Sequence, residues 1–158
     1  MTYTIRAATS GDAPAVLKLV RELAEFEHLT SEVVADVDLL HHALGSGHCE
    51  ALLAEAGGDA VGLALYFHNF STFLARRGLY LEDLYVKPEF RKHGIGRALL
   101  SRLAQIAIVR GCGRFEWAVL DWNVDAMRFY ESLGARPIKE WVICRLTGAA
   151  LRDLANES

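Results

Sequence analysis

The chain has 158 residues, of which 52% are hydrophobic, and its formal net charge is −3. This length suits one domain with a single sizeable core, and this hydrophobic content excludes intrinsic disorder. The charge gives no basic footprint for a nucleic-acid-binding protein, and no apolar run approaches the ~18 residues that a membrane span needs. We therefore expect one cytoplasmic domain over residues 1–158, with neither nucleic acid nor membrane as a partner.

The N-terminal half predicts a strand, two helices and a hairpin. Apolar residues alternate at first and then recur at spacings of three and four. The residues Gly57-Gly58-Asp59 between two apolar runs are a strong hairpin signal. The predicted elements are a strand over Thr2–Ala8, a helix over 16–28, a helix from Thr30 to Leu44, and strands over Glu50–Glu55 and Ala60–Asn69.

The second half predicts a crossover from one strand to the next through a helix. The predicted elements are a loop over Ser71–Gly78, a strand over Leu79–Val86, a helix from Arg97, a strand over Arg114–Leu120, a helix over Asp125–Leu133, a strand-like segment over Ala135–Leu146 and a helical tail from Gly148. The order β-α-α-β-β-β-α-β-α-β indicates an α/β fold. Its central sheet is mixed, antiparallel at first and parallel where the crossover helix returns.

A basic, glycine-containing loop joins the central strand to its helix. Pro88 ends the strand because it lacks a backbone donor, and Arg91-Lys92-His93-Gly94-Ile95-Gly96 follows. The first turn of a helix offers unpaired N–H groups and a partial positive charge, so it binds phosphate. Glycine at 94 and 96 permits positive φ and close approach of a ligand. The P-loop pattern is absent, since Arg97-Ala98 follows the last glycine, and G-x-G-x-x-G is incomplete.

The loop motif Arg91-x-x-Gly94-x-Gly96 follows a strand that contains Glu82-Asp83 and precedes a helix. In this setting it resembles the pyrophosphate loop of the GNAT superfamily of acetyl-CoA-dependent N-acetyltransferases.

Acyl transfer to an amine needs a carboxylate that relays a proton away and a weak acid for the leaving thiolate. Glu82 and Asp83 are candidates for the first task, with a structural ion pair as the alternative. Neighbours in a strand point to opposite faces, so we expect only one of them to face the reaction. Tyr130 is the candidate acid, with an ordinary core tyrosine as the alternative.

Residues 21–27, 79–86, 91–96 and 121–130 together resemble the spermidine/spermine (diamine) N-acetyltransferase branch of that superfamily. The resemblance implies that backbone groups of Leu84, Tyr85 and Val86 pair with the pantetheine arm and that amides from Lys92 through Arg97 hold the pyrophosphate. It further implies that Asn123, Val124, Asp125 and Ala126 contact CoA and that Tyr130 is the general acid. The amine site implied by the resemblance consists of Glu27, Glu82 and Asp83. Glu82 acts through water on this reading. The alternative for Asn123 is a helix N-cap.

Three departures from the branch concern the amine rather than the coenzyme. Phe26 stands where the branch has a tyrosine at the amine site, and Lys92 and His93 stand where it has small or aromatic residues. The segment after Arg136 is shorter, and it carries Glu140 and Trp141, which we assign to the substrate site. The branch also includes enzymes acting on thialysine-like amino acids.

We thus predict an enzyme that moves acetyl from acetyl-CoA to a primary amine of a small cationic metabolite, polyamine or diamine first and a lysine analogue second. Direct attack in a ternary complex is favoured, because none of Cys49, Cys112 and Cys144 lies in the site segments. The scattered cysteines and the histidines give no metal-ligand spacing, so we expect no metal. Branch members are dimers, which implies a homodimer. A non-catalytic acetyl-CoA sensor and a nucleotide-binding module remain alternatives.

Overall fold

A five-stranded mixed sheet is the centre of the computed structural model, which describes residues 1–157. Its strands are β1 (Thr4–Ala7), β2 (Glu50–Ala56), β3 (Asp59–Ser71), β4 (Arg76–Val86) and β5 (Arg114–Trp117). They lie in sequence order; the first four pair antiparallel, and β5 pairs parallel to β4. The α/β class and the mixed sheet predicted from the sequence are therefore confirmed.

Five helices accompany the sheet in the described residues. They are α1 (Ala13–Phe26), α2 (Val37–Ser46), α3 (Ile95–Val109), α4 (Val124–Ser132) and α5 (Gly148–Ala155). The prediction that the second helix begins at Thr30 was wrong: Thr30–Glu32 is a 3-10 turn and Val33 is extended. The helix begins where Asp36 caps it, because the Asp36 carboxylate accepts a 2.8 Å hydrogen bond from the Leu39 amide. None of these helices is both long and apolar enough to cross a membrane.

The β3–β4 hairpin is longer than the sequence indicated. The predicted loop over Ser71–Gly78 is confined to a turn at residues 72–75, because the ladder continues to the pair Ser71↔Arg76. Gly78 lies opposite Asn69, whose Oδ1 is 2.1 Å from where a Cβ at Gly78 would lie. Glycine here makes room inside a strand and does not mark a turn.

A β-bulge in β4 changes which side chains face each side of the sheet. Leu65 pairs with Asp83 and Tyr66 with Leu81, so Glu82 has no partner on β3. A bulge inserts one residue and re-aims the side chains after it. Asp83 and Tyr85 consequently share a face with their partners Leu65 and Leu63, which strict alternation from Leu81 would not allow.

Helices cover both faces of the sheet in the first part of the chain. On one face α1 packs on β2, β3 and β4, with a core formed by Val16, Leu19, Leu23, Ala51, Leu53, Leu63, Leu65 and Tyr85. On the other face α3 lies so close to β3 that a Cβ at Gly62 would be 3.2 Å from Ile95 Cγ2. This packing fixes the start of α3 against the end of β4, since Gly62 pairs with Val86.

The chain forms two compact units, one over Met1–Ala118 and one from Val119 onward. The second unit contains α4 and α5, and the helical tail predicted from Gly148 is confirmed. The strand predicted over Ala135–Leu146 was wrong, because no strand is found there in the described chain. Apolar alternation alone cannot form a strand without a ladder partner. Trp141, Val142 and Ile143 are 79%, 81% and 71% exposed.

Candidate active site

The turn between β4 and α3 presents a row of backbone donors. The Arg91 amide bonds to the Pro88 carbonyl, and the Ala98 amide bonds to the Gly94 carbonyl. The amides between them, from Lys92 to Arg97, donate no hydrogen bond to any residue of the described range 1–157. Consecutive unpaired N–H groups at a helix start bind anionic groups such as a diphosphate.

Gly94 and Gly96 contribute to this turn in different ways. Gly94 is the N-cap of α3 with φ +83°, a left-handed conformation that glycine adopts without strain. Gly96 already lies in the helix, and a Cβ there would meet no atom within 4 Å. Of the two glycines, Gly94 uses the positive φ that glycine permits, whereas Gly96 leaves open space beside the free amides.

The three cations of the loop are not equivalent. The side chains of Lys92 and Arg97 make no ion pair or hydrogen bond with the described residues, and both are exposed. Arg91 instead donates from Nε to the Val86 carbonyl at 2.8 Å, with its guanidinium carbon 5.2 Å from the centre of the Phe26 ring. The sequence placed Arg91 in the basic loop that binds phosphate, whereas its side chain faces the end of α1.

The end of β4 has one unpaired edge. β5 pairs with β4 only from Gly78 to Leu81, while β4 continues to Val86. The backbone from Leu84 to Val86 thus borders β3 on one side only among the described strands, except that the Val86 carbonyl accepts from Arg91. An extended chain such as a pantetheine arm can hydrogen-bond to an edge of this kind.

Two carboxylates, Glu82 and Glu27, lie within electrostatic reach of a third, that of Asp83 on β4. Burial, followed by the charges of Glu82 and Glu27, raises the pKa of Asp83 to about 6. Burial also raises the pKa of Glu27, which caps the C-terminus of α1. The bulge interrupts the strict alternation on which the expectation of opposite faces for Glu82 and Asp83 rests, so that expectation stays a prediction. A cationic group placed among these carboxylates would relieve their mutual repulsion.

Cys49 lies closer to this acidic site than its sequence position indicated. Burial, together with the charges of Glu50 and Asp83, raises the pKa of the Cys49 thiol. A thiol held protonated is a poor nucleophile. Cys49 therefore gives no support to a covalent acyl-cysteine step. No local pattern in the sequence signals this proximity, which follows from the packing of the strand β2 against β3.

The remaining predicted site residues belong to the second unit. Asn123 is the N-cap of α4, since its Oδ1 accepts from the Ala126 amide at 3.3 Å, so the capping alternative is confirmed. Tyr130 is half-buried on the same helix, with its ring 5.6 Å from that of Phe129. Val124 and Asp125 form the exposed first turn of α4, and Glu140 and Trp141 lie exposed after it. The roles of all these residues stay predictions.

A groove beside α1 lies apart from the predicted site residues, and the described residues offer no metal-ligand cluster. A groove of about 750 Å³ runs between α1 and the segment 30–37, and it includes Leu17, Glu22 and Val33 but none of the predicted site residues. Among the described residues, no group of three or more His, Cys, Asp or Glu side chains is placed to hold a metal ion.

The fold and the turn define an α/β protein with a row of unpaired amides suited to an anionic group and with carboxylates close together near the end of β4. Comparison with known proteins makes this specific: residues 15–135 match the acetyltransferase (GNAT) family, and the chain belongs to that family. It is therefore an acetyl-CoA-dependent N-acetyltransferase. Acetyl-CoA is the cosubstrate of this family, and the donor set of the turn from Lys92 to Arg97 fits its diphosphate.

Full-length relatives refine the comparison. The chain is 41% identical to a thialysine N-epsilon-acetyltransferase of Sus scrofa over 97% of both chains. It is 33% identical to the human spermidine/spermine N(1)-acetyltransferase-like protein 1, over 98% of this chain but 24% of that protein. A solved integron cassette protein from V. cholerae has a TM-score of 0.83 at 28% identity, with 99% of both chains covered.

Proposed function

We propose that this enzyme acetylates the terminal primary amine of a small cationic metabolite, with a lysine analogue such as thialysine as the first candidate. The similarity to thialysine acetyltransferases along both full chains supports this order. The sequence alone favoured a polyamine or diamine. That substrate becomes the second candidate, supported by the acidic cluster and by a relative of which the chain covers only about a quarter.

The observation that carries this proposal is the position of Asp83. Its carboxylate is placed by the bulge on the same face as Leu65 and Tyr85, and it is repelled by Glu82 and Glu27. Three residues further on, β4 ends, and the chain leads into the turn whose amides suit the coenzyme diphosphate. An incoming ammonium group at Asp83 would neutralise this negative charge and would then be close to the acyl donor. A sensor that only binds acetyl-CoA has no need of such a cluster.

The chemistry requires two proton transfers. An amine of pKa ~10 must lose a proton before it attacks the thioester, and the leaving thiolate gains one. We assign the first task to Asp83 or to Glu82 acting through water, with Asp83 preferred because a pKa of about 6 suits a base near neutral pH. Tyr130 is assigned to the second task. Direct attack within a ternary complex is supported by the raised pKa of the Cys49 thiol, since a raised pKa disfavours the nucleophilic thiolate.

Matched variants distinguish the two carboxylates. In the wild-type enzyme, kcat/KM for the amine is expected to fall as the pH drops through about 6. Asp83→Asn should remove this limb and lower kcat/KM by about 10²–10⁴-fold, the usual contribution of a general base. Glu82→Gln should keep the limb but shift it to lower pH, because one charge that raises the pKa of Asp83 is lost. If the fall of kcat/KM at low pH survives in Asp83→Asn and disappears in Glu82→Gln, the proton relay belongs to Glu82.

A thiol-release assay with purified protein and acetyl-CoA tests the function directly. Thialysine, lysine, putrescine and spermidine are compared at equal concentration, with mass spectrometry of the products. We expect acetylation of thialysine with the largest kcat/KM, and Tyr130→Phe should slow turnover while CoA binding persists. Turnover of spermidine or putrescine alone would instead favour the second candidate. Acetyl-CoA binding without turnover of any amine would favour the sensor.

Three broader assignments belong to the same proposal. We propose that residues 1–158 act as one acetyltransferase domain, although the last residue lies outside the described range. A cytoplasmic location agrees with acetyl-CoA as the cosubstrate. A homodimer is supported by the exposed apolar side chains of Trp141, Val142 and Ile143, which a second copy would cover.

A further inference from the structure

Arg91 connects three elements at the end of β4. Its Nε donates to the Val86 carbonyl, and its guanidinium carbon lies 5.2 Å from the ring centre of Phe26 and 5.6 Å from that of Tyr85. Phe26 is the last residue of α1, and Tyr85 belongs to β4. Arg91 itself directly precedes the free amides of the loop. One planar cation therefore contacts the strand, the end of the helix and the start of the diphosphate turn.

A second set of contacts lies one helical turn away on α1. Glu22 is four residues before Phe26, so both side chains project from the same side of the helix. The Tyr85 hydroxyl donates to Glu22 Oε1 at 3.3 Å, and Lys87 Nζ is 3.8 Å from Glu22 Oε2. Glu22 thus holds the body of α1 to β4, whereas Arg91 contacts Phe26 at the helix end. Removing the Arg91 contact should loosen the end of α1 from the loop without detaching the helix.

The end of α1 leads directly into the acidic site. Glu27 follows Phe26 as the C-cap, and its charge acts on Asp83. The position of Glu27 thus depends on a helix end that Arg91 fixes to the loop. A ligand that immobilises the loop amides would also immobilise Arg91, then Phe26 and Glu27.

We propose that Arg91 is a positioning residue that couples the occupancy of the coenzyme loop to the order of the amine site through Phe26. The inference rests on the proposed function, since it takes the coenzyme to bind the amides from Lys92 to Arg97. It differs from a phosphate-binding role because the guanidinium is directed toward α1. Binding of CoA strengthens binding of the amine, and the amine strengthens binding of CoA by the same factor.

Five substitutions separate positioning from charge. Arg91→Met removes the charge, the Nε–H and the planar stack, whereas Arg91→Lys keeps the charge but not the flat fork geometry. Arg97→Met is the matched control, because it removes a cation from the same loop that has no contact with Phe26. Phe26→Leu removes the ring on the other side of the contact, and Phe26→Tyr retains it. Thermal unfolding checks that each variant is folded.

Hydrogen exchange measures the coupling without any amine. The amides of Glu27, His28 and Leu29 bond to carbonyls of Leu23, Glu25 and Ala24, so their exchange reports the order of the end of α1. With saturating CoA, these amides should exchange several-fold more slowly in the wild-type protein and in Arg97→Met. Arg91→Met, Arg91→Lys and Phe26→Leu should lose this protection, while Phe26→Tyr keeps it. Calorimetry sets the saturating CoA concentration for each variant.

Steady-state kinetics supply the second readout. Arg91→Met and Arg91→Lys should raise KM for the amine by about tenfold, because the guanidinium contacts with the Phe26 and Tyr85 rings and the hydrogen bond to the Val86 carbonyl are weakened or lost. Their KM for acetyl-CoA should change less than that of Arg97→Met. The coupling would be overturned if Arg91→Met kept the wild-type protection of these amides or if Arg91→Lys restored it. It would also be overturned if the amides of the CoA-bound wild-type protein were not protected. A wild-type protein that binds no CoA would overturn the proposed function instead.

Discussion

Asp83 makes the stability of this protein depend on pH in an unusual direction. Its pKa is raised from 3.8 to about 6, so the folded state retains a proton that the unfolded state has already released. Below pH 4 both states are protonated and the residue has no effect. Between pH 4 and 6 its contribution to stability declines, and above pH 6 the cost is complete. Each pKa unit corresponds to about 1.4 kcal/mol. After screening by solvent, the whole rise in the pKa of Asp83 lowers the free energy of unfolding by about 1–2 kcal/mol.

Asp83→Asn should therefore increase the free energy of unfolding by about 1–2 kcal/mol at pH 7.5 and by close to nothing at pH 4. Urea denaturation at the two pH values measures this difference. Asp59→Asn, at the exposed start of β3, is the matched control and should show no such gain. An equal gain at both pH values would mean that packing, and not the charge, limits stability at Asp83.

At the scale of elements, local sequence patterns predicted those helices and turns that depend only on residues close together in the sequence. The period of α1, the Gly57–Gly58 turn and the glycine loop before α3 are visible in the sequence because each depends on a few adjacent side chains. The bulge at Glu82 was not predictable in this way, since it depends on the register between β3 and β4. The direction of the Arg91 side chain depends on Phe26, which is distant in sequence. Likewise, the segment Ala135–Leu146 has a strand-like composition, but nothing in its sequence indicates which strand it would pair with.

The first turn of α3 balances helix stability against ligand access. Gly96 lies inside the helix with open space where a Cβ would be, so Gly96→Ala should stabilise the protein by about 0.5–1 kcal/mol. The same methyl group would stand beside the free amides and should weaken CoA binding by about tenfold, or ~1.4 kcal/mol. Gly45→Ala in α2 is the matched control, since its nearest neighbour is 3.6 Å away and it lies outside the turn.

For this pair of glycines, thermal unfolding and calorimetry with CoA give the two measurements. We expect both variants to be more stable and only Gly96→Ala to bind CoA less well. Unchanged CoA affinity in Gly96→Ala would place the diphosphate away from the start of α3. Such a result would leave the family assignment intact but would remove the assigned coenzyme contacts.

At the scale of the whole molecule, the apolar segment after α4 is the main argument for a second copy. Trp141, Val142 and Ile143 are mostly exposed, and three large apolar side chains in a row on a surface mark an interaction site. Ile108 on α3 is exposed to a similar degree, 79%, and serves as a control for general surface hydrophobicity. A net charge of −3 is too small to keep two copies apart by repulsion at physiological salt.

We therefore expect a dimer in light scattering coupled to size exclusion, dissociating on dilution. Replacing Trp141 and Val142 together by serine should weaken the dimer by at least ~2 kcal/mol, about thirtyfold in Kd, because buried aromatic anchors dominate interfaces. Ile108→Ser should leave the dimer unchanged. A wild-type protein that is monomeric at every concentration, or a double variant as dimeric as the wild type, would assign these side chains another partner. In that case acetylation by the monomer would show that one copy contains the whole site.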